Sequence, residues 1–132
     1  MNKRELREYA VLYHPYSTNP RWVDFFVKVA PLKVQRTIQI LQRCKKSDAI
    51  VLDYGCGIGF NIYYFAKVFP NTQGIDNDKE SINIARKQFK KLGCNKKVLY
   101  YKGKILPFKK NTFDIVVLND VWEHAENPRL TL

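Results

Sequence analysis

The sequence lacks the features that mark membrane-spanning, secreted or metal-binding chains. No apolar run approaches the ~18 residues that a membrane helix needs, and the segment from Met1 to Glu5 is not the apolar core of a signal peptide. The three cysteines, Cys44, Cys56 and Cys94, are widely spaced and form no C-x-x-C pair. Neither a disulfide framework nor a zinc site is therefore expected. We predict a cytoplasmic protein with no membrane span and no metal site.

Acidic residues are missing from one long segment. From Arg86 to Lys110 there are ten basic residues and no acidic one, and the whole chain carries a formal net charge of +11. Such a surface attracts polyanions by electrostatics alone, so nucleic acid is a candidate partner for the 86–110 segment. A solvated basic face is the alternative, because a chain rich in Lys, Asn, Ile and Tyr also reflects genome composition.

What the chain does have is enough apolar material for one modest core. It contains 132 residues, of which 45% are hydrophobic and 14% aromatic, and these values are typical of a folded chain. We divide it into an N-terminal helical segment, residues 1–46, and a ligand-binding domain, residues 47–132.

The most informative stretch is residues 50–60, Ile-Val-Leu-Asp-Tyr-Gly-Cys-Gly-Ile-Gly-Phe. Its apolar start predicts a buried strand, and Gly55, Gly57 and Gly59 predict a tight turn that something approaches closely. A helix is expected to follow over residues 61–69, because apolar residues recur there at helical spacing. Strand, turn and helix together predict a ligand cradle at the carboxyl end of a strand.

Cys56 lies inside this glycine turn. A small side chain is needed there, so we interpret Cys56 as a compact filler, with a catalytic thiol as the alternative.

The N-terminal segment is predicted to form three helices. The first covers residues 3–13, the second begins at Pro20 after a cap at Thr18 or Asn19, and Pro31 is expected to end it. The third would run from about residue 32 to residue 43. The residues expected on the buried sides of the second and third helices are Trp22, Phe25, Phe26, Val29, Val34, Ile38 and Leu41.

The remaining chain alternates between strand and helix signals. Short strands are predicted at residues 73–76, 98–101 and 113–118, and Asp78 and Gly93 are expected to cap and to stop the helix between the first two. This alternation predicts an α/β fold, a Rossmann-like, mostly parallel sheet with helices on both faces. The sequence ends soon after the fourth strand.

The acids around the turn restrict the ligand. A dinucleotide turn needs a third glycine at the position of Phe60, which this chain lacks. Asp76 ends the second strand, where it suits the two hydroxyls of a ribose. Asp53 suits a cationic amino group better than a pyrophosphate.

Four segments in this order resemble the class I S-adenosylmethionine-dependent methyltransferases, in their small-molecule branch. The segment 51–59 resembles motif I of that family, and 74–78 is similar to its second motif. The other two segments are Leu106-Pro107-Phe108 with 111–117, and Asn119-Asp120-Val121-Trp122-Glu123-His124.

The resemblance implies S-adenosyl-L-methionine as cofactor and assigns roles to several residues. The backbone of Gly55, Gly57 and Gly59 would pass beneath the methionine part. Asp53 would organise the turn and help to receive the amino group, directly or through water. Asp76 would bind the ribose, Asn77 would lie against the adenine, and the Asn119 carbonyl would face the methionine part.

The sequence departs from the family after the third strand. Where an Asp often receives the adenine amino group, this chain has Lys104, and an ammonium only donates hydrogen bonds. Adenine recognition would then rest on backbone groups near Lys104 and Ile105.

The family's sheet has seven strands, whereas this chain supplies four. We therefore expect a truncated product, or a half whose exposed fourth-strand edge is covered by a partner chain or an oligomer.

Three functions remain open on the sequence. The first is methyl transfer to an unidentified, small-molecule acceptor, or to RNA through the 86–110 segment. His124 is the candidate general base, with packing and capping of the following helix as its alternative role. The second is a non-catalytic cofactor-binding fragment or partner subunit. A nicotinamide oxidoreductase is a distant third.

Overall fold

The structure is a computed structural model that describes residues 1–13, 18–44 and 46–121. The chain forms two compact units, Met1–Lys46 and Ser47–Leu132. Each unit is described by itself.

The first unit begins with α1, Lys3–Leu12. Asn2 caps it, because its side chain accepts a hydrogen bond from the Glu5 N–H at 2.9 Å while the Glu5 carboxylate accepts the Asn2 N–H at 2.7 Å. This reciprocal capping box satisfies two N–H groups that the helix itself cannot use. The buried side of α1 consists of Leu6, Tyr9 and Ala10.

The second helix, α2, runs without interruption over Pro20–Cys44. Its start confirms the prediction, since the Asn19 side chain accepts the N–H groups of Arg21 and Trp22 at 3.0 and 3.3 Å. The predicted break at Pro31 is wrong, because Pro31 lies inside the helix.

Burial explains why α2 continues through Pro31. Val23, Phe26 and Val34 are all buried, and at ~100° per residue they share one side of an unbroken helix. Ending the helix at Pro31 would remove Val34 from that side. Apolar burial on both sides of the proline therefore outweighs the missing backbone hydrogen bond.

The prediction that Phe25 is buried is also wrong, since 60% of its surface is exposed. Two adjacent helical residues point ~100° apart, and Phe26 takes the buried position. The Tyr13 ring packs against Phe26 at a centroid distance of 5.1 Å and against Trp22 at 5.8 Å.

The second unit is a four-stranded parallel sheet in the order β3-β2-β1-β4. The strands are β1, Val51–Tyr54; β2, Thr72–Asp76; β3, Lys97–Tyr100; and β4, Ile115–Val117. Asp53 pairs in register with Gly74 and Val117. The predicted α/β fold with a parallel sheet is confirmed.

Two helices connect the first three strands: α3, Phe60–Phe65, and α4, Lys79–Lys91. The Asp78 side chain caps α4 through the N–H groups of Glu80 and Ser81, both at 3.1 Å, and Gly93 follows the helix at φ 63°, as predicted. The helix α3 is shorter than the predicted 61–69. Its buried face joins that of α4 in one cluster: Cys56, Ile62, Ile82, Ala85, Phe89 and Val98.

Strand β4 is fixed to β1 by Asp114. The Asp114 carboxylate accepts the Ile50 N–H at 2.9 Å, and the Asp114 N–H donates to the Ile50 carbonyl, also at 2.9 Å. In the part of the chain that the structure describes, β4 pairs only with β1, and Val116 is 49% exposed. A partner covering this edge stays a prediction.

None of the described helices is both long and apolar enough to cross a lipid bilayer.

Replacing Pro31 by alanine should stabilise α2. Pro31 has no N–H to donate to the Val27 carbonyl, and interior proline costs about 3 kcal/mol relative to alanine. Proline also stiffens the unfolded chain, which offsets part of this gain. We expect Pro31→Ala to raise the free energy of unfolding by about 2 kcal/mol, measured by urea denaturation followed by circular dichroism.

The control is Leu32→Ala at the next position, where the side chain is 63% exposed and its loss should change little. A Pro31→Ala variant that is less stable than the original chain would contradict the expectation that the proline destabilises α2.

Candidate cofactor site

The site begins at the turn after β1, which is held against β2 by backbone hydrogen bonds. The N–H groups of Gly55 and Cys56 both donate to the Ile75 carbonyl, at 2.8 and 3.1 Å, and the Gly59 N–H donates to the Cys56 carbonyl at 2.9 Å. Gly55, Gly57 and Gly59 have φ values of 76°, 50° and 81°. These values lie in the left-handed region that favours glycine, which explains all three positions.

The three glycines face different surroundings. A Cβ on Gly59 would lie 2.7 Å from Phe89 Cζ and 3.2 Å from Ala85 Cβ, so Gly59 permits close packing against α4. A Cβ on Gly55 would overlap the Cγ2 methyl group of Val121 and would lie 3.3 Å from its Cγ1. A Cβ on Gly57 would have no neighbour within 4 Å. Gly57 therefore borders open space, where a ligand could approach its backbone.

Asp53, at the end of β1, is the most unusual side chain of the site. It is only 1% exposed, and its Oδ2 atom has no hydrogen-bond partner among the described residues. Burial, and secondarily the Asp76 carboxylate, raises the pKa of Asp53 to about 8. A buried carboxyl of this kind stays neutral at pH 7 unless a cation or a donor comes to it.

Asp76, at the end of β2, connects the turn to the start of α4. Its Oδ2 accepts the Gly57 N–H at 2.7 Å, and its Oδ1 accepts the Asp78 N–H at 2.8 Å. The side chain is half-buried, and each carboxylate oxygen has a further lone pair for a ligand hydroxyl. Its place at the end of β2 is as predicted, and its role toward a ribose stays a prediction.

The loop after β3 also starts beside Asp76. The Tyr101 N–H donates to the Asp76 carbonyl at 2.8 Å, and the Tyr101 hydroxyl donates to the Ile105 carbonyl. The Ile105 side chain is 82% exposed. Tyr101 therefore ties the loop whose backbone is predicted to bind the adenine to Asp76, the acid predicted to bind the ribose.

Two of the other predicted residues can be placed. Asn77 is exposed directly after Asp76, and Asn119 is half-buried just after β4. Asn119 stands two residues before Val121, which lies against Gly55, so the end of β4 reaches the glycine turn. His124 lies outside the described residues.

Cys56 packs in the cluster beneath the turn and is 6% exposed. The Cys56 Sγ atom lies so close to β2 that a Cβ on Gly74 would be only 2.7 Å from it. Position 56 therefore accepts only a small side chain. Burial and the nearby Asp53 and Asp76 carboxylates raise the pKa of the Cys56 thiol far above its usual range. The thiol therefore stays protonated. This fits the interpretation of Cys56 as a compact filler and not as a nucleophile, because a nucleophilic cysteine reacts as the thiolate.

Two contributors were missed on the sequence. Val121 lies against Gly55, 66 positions away along the chain, and no local pattern indicates such a contact. The Tyr101 hydroxyl donates to the Ile105 carbonyl, a contact that its predicted place at the end of a strand does not indicate. Among the described residues there is no group of three or more side chains that could hold a metal ion.

The donor set fits an adenosine-type cofactor with an amino group. Asp53 offers a buried, unpartnered oxygen to a cation, Asp76 offers acceptors to hydroxyls, and Gly57 leaves space beside its backbone. A parallel α/β sheet with such a turn at its strand ends defines the class of cofactor-binding α/β proteins. A family model described as a methyltransferase domain matches residues 45–132. The chain belongs to this family, as its resemblance to class I S-adenosylmethionine-dependent methyltransferases predicted.

Similar proteins agree with this assignment. The ubiquinone biosynthesis O-methyltransferase of Vibrio parahaemolyticus is 28% identical over 115 residues, which cover 82% of this chain and 48% of that protein. A solved S-adenosylmethionine-dependent methyltransferase from Aquifex aeolicus shares the fold, with a TM-score of 0.63, 24% identity, and coverage of 76% of this chain and 62% of that one.

The structure of PKMT2 from Rickettsia typhi in complex with AdoHcy is 28% identical, with a TM-score of 0.56, and the match covers 65% of this chain and 17% of that one. The predicted cofactor is thus confirmed for the family. The chain spans between 24% and 48% of the length of four curated relatives that it matches.

The raised pKa of Asp53 makes the stability of the protein depend on pH. The native state keeps a proton on Asp53 up to pH about 8, whereas the unfolded chain releases it near pH ~4. The free energy of unfolding should therefore fall as pH rises between these values, by up to about 1.4 kcal/mol per pH unit. Urea denaturation at pH 5, 6.5 and 8 measures this slope.

In Asp53→Asn the free energy of unfolding should fall less steeply with pH. The gain in stability over the original chain should therefore be larger at pH 8 than at pH 5. The control, Asp48→Asn, removes an exposed carboxyl that water solvates in both states, and should keep the original slope. If the free energy of unfolding changes equally with pH in the original chain and in Asp53→Asn, the raised pKa of Asp53 is contradicted.

Proposed function

We propose that this chain binds S-adenosylmethionine on the turn from Gly55 to Gly59, as part of an enzyme that transfers the methyl group to a small-molecule acceptor. The observation that carries the proposal is the buried Asp53 carboxyl, whose Oδ2 lacks a hydrogen-bond partner among the described residues. Burying a carboxyl oxygen without a hydrogen-bond partner lowers the stability of the fold, and pairing with a cationic ligand offsets this loss.

The proposed contacts follow from the position of each residue. Asp53 receives the amino group of the methionine part, while the Gly57 backbone lies beneath it. Asp76, whose carboxylate is already held by two backbone N–H groups, receives the ribose hydroxyls. Asn77 lies on the connection that leaves β2, and Ile105 lies on the connection that leaves β3. We propose that both connections border the adenine.

Asn119 is proposed to complete the site from the end of β4. Its carbonyl would face the methionine part, next to the contact between Val121 and Gly55.

The bound cofactor supplies an electrophilic methyl group on a sulfonium. The chain's contribution is to position this group, because an in-line displacement depends chiefly on the geometry of donor and acceptor. A base is needed only where the acceptor must lose a proton, and His124 stays the candidate for that role.

A small-molecule acceptor is supported by the relatives. The Vibrio parahaemolyticus relative is named an O-methyltransferase of ubiquinone biosynthesis. The proposed activity is that of this chain together with a partner chain or further residues.

RNA is the second candidate acceptor, and one observation favours it. Of the ten basic residues between Arg86 and Lys110, all but Lys96 are exposed, on α4, β3 and the loop that follows. Binding to RNA that falls steeply with added salt would support this candidate. A chain that binds the cofactor and transfers no methyl group would fit the alternative of a non-catalytic cofactor-binding fragment or partner subunit.

Cofactor binding is tested by Gly57→Ala. A methyl group at this position meets no protein atom, so it should extend into the space proposed for the cofactor. We expect Gly57→Ala to weaken binding of S-adenosylhomocysteine by tenfold or more, measured by isothermal titration calorimetry, with only the ~1 kcal/mol loss of stability that a positive φ imposes.

The matched control is Gly93→Ala. Gly93 also has a positive φ, 63°, and open space around its Cβ position, but it lies at the end of α4. It should lose similar stability and keep its affinity. Failure of the unsubstituted chain to bind either S-adenosylmethionine or S-adenosylhomocysteine would overturn the proposed function.

Binding should also release a proton. Because the pKa of Asp53 is about 8 in the free protein, an ammonium group that pairs with this carboxylate must displace its proton at pH 6.5. Affinity for S-adenosylhomocysteine should therefore rise with pH from 6 to 8, by up to about tenfold per unit. Calorimetry in two buffers of different ionisation enthalpy counts the protons released, with close to one expected.

Asp53→Asn should bind more weakly and release no proton. A binding heat that is independent of the buffer in the unsubstituted chain would mean that the amino group does not meet Asp53.

A further inference from the structure

The helix α2 exposes large apolar side chains on the side away from its buried residues. Phe25, Leu32 and Ile40 are 60%, 63% and 52% exposed. Single exposed apolar residues are ordinary on protein surfaces. Three on one helix, two of which lie seven positions apart and therefore on the same line, form a surface that needs an explanation.

The same side of α2 is strongly basic. Lys28, Arg36 and Arg43 are all exposed, and the sequence has no acidic residue between Phe25 and Ser47. The acid that α2 does contain, Asp24, forms an ion pair with Arg7 of α1. The charge of this side is therefore not cancelled within the helix.

The geometry of an α-helix interleaves the two kinds of residue. Phe25, Leu32, Arg36 and Arg43 follow one another at spacings of seven, four and seven, which keeps them within about 40° on the helix circumference. The buried residues Val23, Phe26 and Val34 point to the opposite side. Apolar side chains and cations thus alternate along one exposed surface.

We propose that this surface of α2, defined by Phe25, Lys28, Leu32, Arg36, Ile40 and Arg43, binds the surface of an anionic lipid bilayer. Cations attract the charged headgroups, while the aromatic and aliphatic side chains enter the boundary between headgroups and acyl chains. The helix lies in the plane of the interface.

The composition of the surface selects this partner over others. Nucleic acid would use the cations but gain nothing from Leu32 and Ile40, because phosphate contacts are polar. A protein groove would engage apolar anchors at i, i+3, i+4 and i+7, and an apolar groove would gain nothing from Lys28, Arg36 and Arg43. A bilayer surface that is anionic outside and apolar a few ångströms deeper uses both kinds of residue, and this charge complementarity favours it as the partner. The proposal goes beyond the proposed function and does not depend on it.

The test is sedimentation of the full chain with vesicles. We expect binding to vesicles of phosphatidylcholine with about one third phosphatidylserine, weaker binding to pure phosphatidylcholine, and loss of most binding at about 0.5 M salt, where charges are screened within a few ångströms. Equal binding to both kinds of vesicle, or none to the anionic kind, overturns the proposal.

Two sets of substitutions locate the surface. Lys28→Gln, Arg36→Gln and Arg43→Gln together should weaken binding by about a hundredfold, since each cation near an anionic bilayer contributes about fivefold. Phe25→Ala, Leu32→Ala and Ile40→Ala together should weaken it by at least about tenfold without changing the net charge. Circular dichroism verifies that both variants keep their helices.

The matched control removes the same charge from the other basic region, by Lys87→Gln, Lys90→Gln and Lys102→Gln. These residues are exposed, and the control variant should bind vesicles like the original chain. Equal weakening by both charge variants would show that only the net charge matters. Preference for an RNA oligonucleotide over anionic vesicles, lost in the α2 charge variant, would also overturn the proposal in favour of nucleic acid.

Discussion

The second unit depends on one backbone acceptor, the carbonyl of Ile75. It receives the N–H groups of both Gly55 and Cys56, and this shared interaction bends the chain sharply at the end of β1. The bend brings the Gly57 N–H to the Asp76 carboxylate and directs Cys56 into the cluster under α3 and α4. Glycine at the three positive-φ positions allows this turn to form, and the space beside Gly57 leaves its backbone accessible to a ligand.

The two strand-end acids, Asp53 and Asp76, differ in their surroundings. Asp76 is half-buried and receives backbone N–H groups on both oxygens. Asp53 is buried, and its proton is retained because desolvation and the neighbouring Asp76 charge both oppose ionisation. The free protein thereby avoids two negative charges in one small volume. Under the proposed function, the positive ligand is what allows both acids to be ionised at once.

Local signals in the sequence predict those features that local physics decides. Asp78 caps α4 with its own side chain, and Asp76 ends its strand where the pattern of apolar residues ends. The sequence could not predict what long-range packing decides. Pro31 disfavours a helix locally, and burial on both sides of it overrides that preference. The contact of Val121 with Gly55 joins distant parts of the chain, and a single sequence carries no sign of it. The roles of individual residues toward the cofactor stay predictions.

The bond between Asp114 and Ile50 spans 64 positions along the chain, and this has a consequence for biosynthesis. Strand β1 obtains its partner β2 within about 20 residues of synthesis, whereas its other edge waits for β4. During translation the glycine turn can thus form against β2 while the opposite side of β1 is still unpaired. This interval is when the nascent chain presents an open strand to chaperones or to neighbouring chains. The order of the strands therefore sets a period of vulnerability that closes only when Asp114 leaves the ribosome and reaches Ile50.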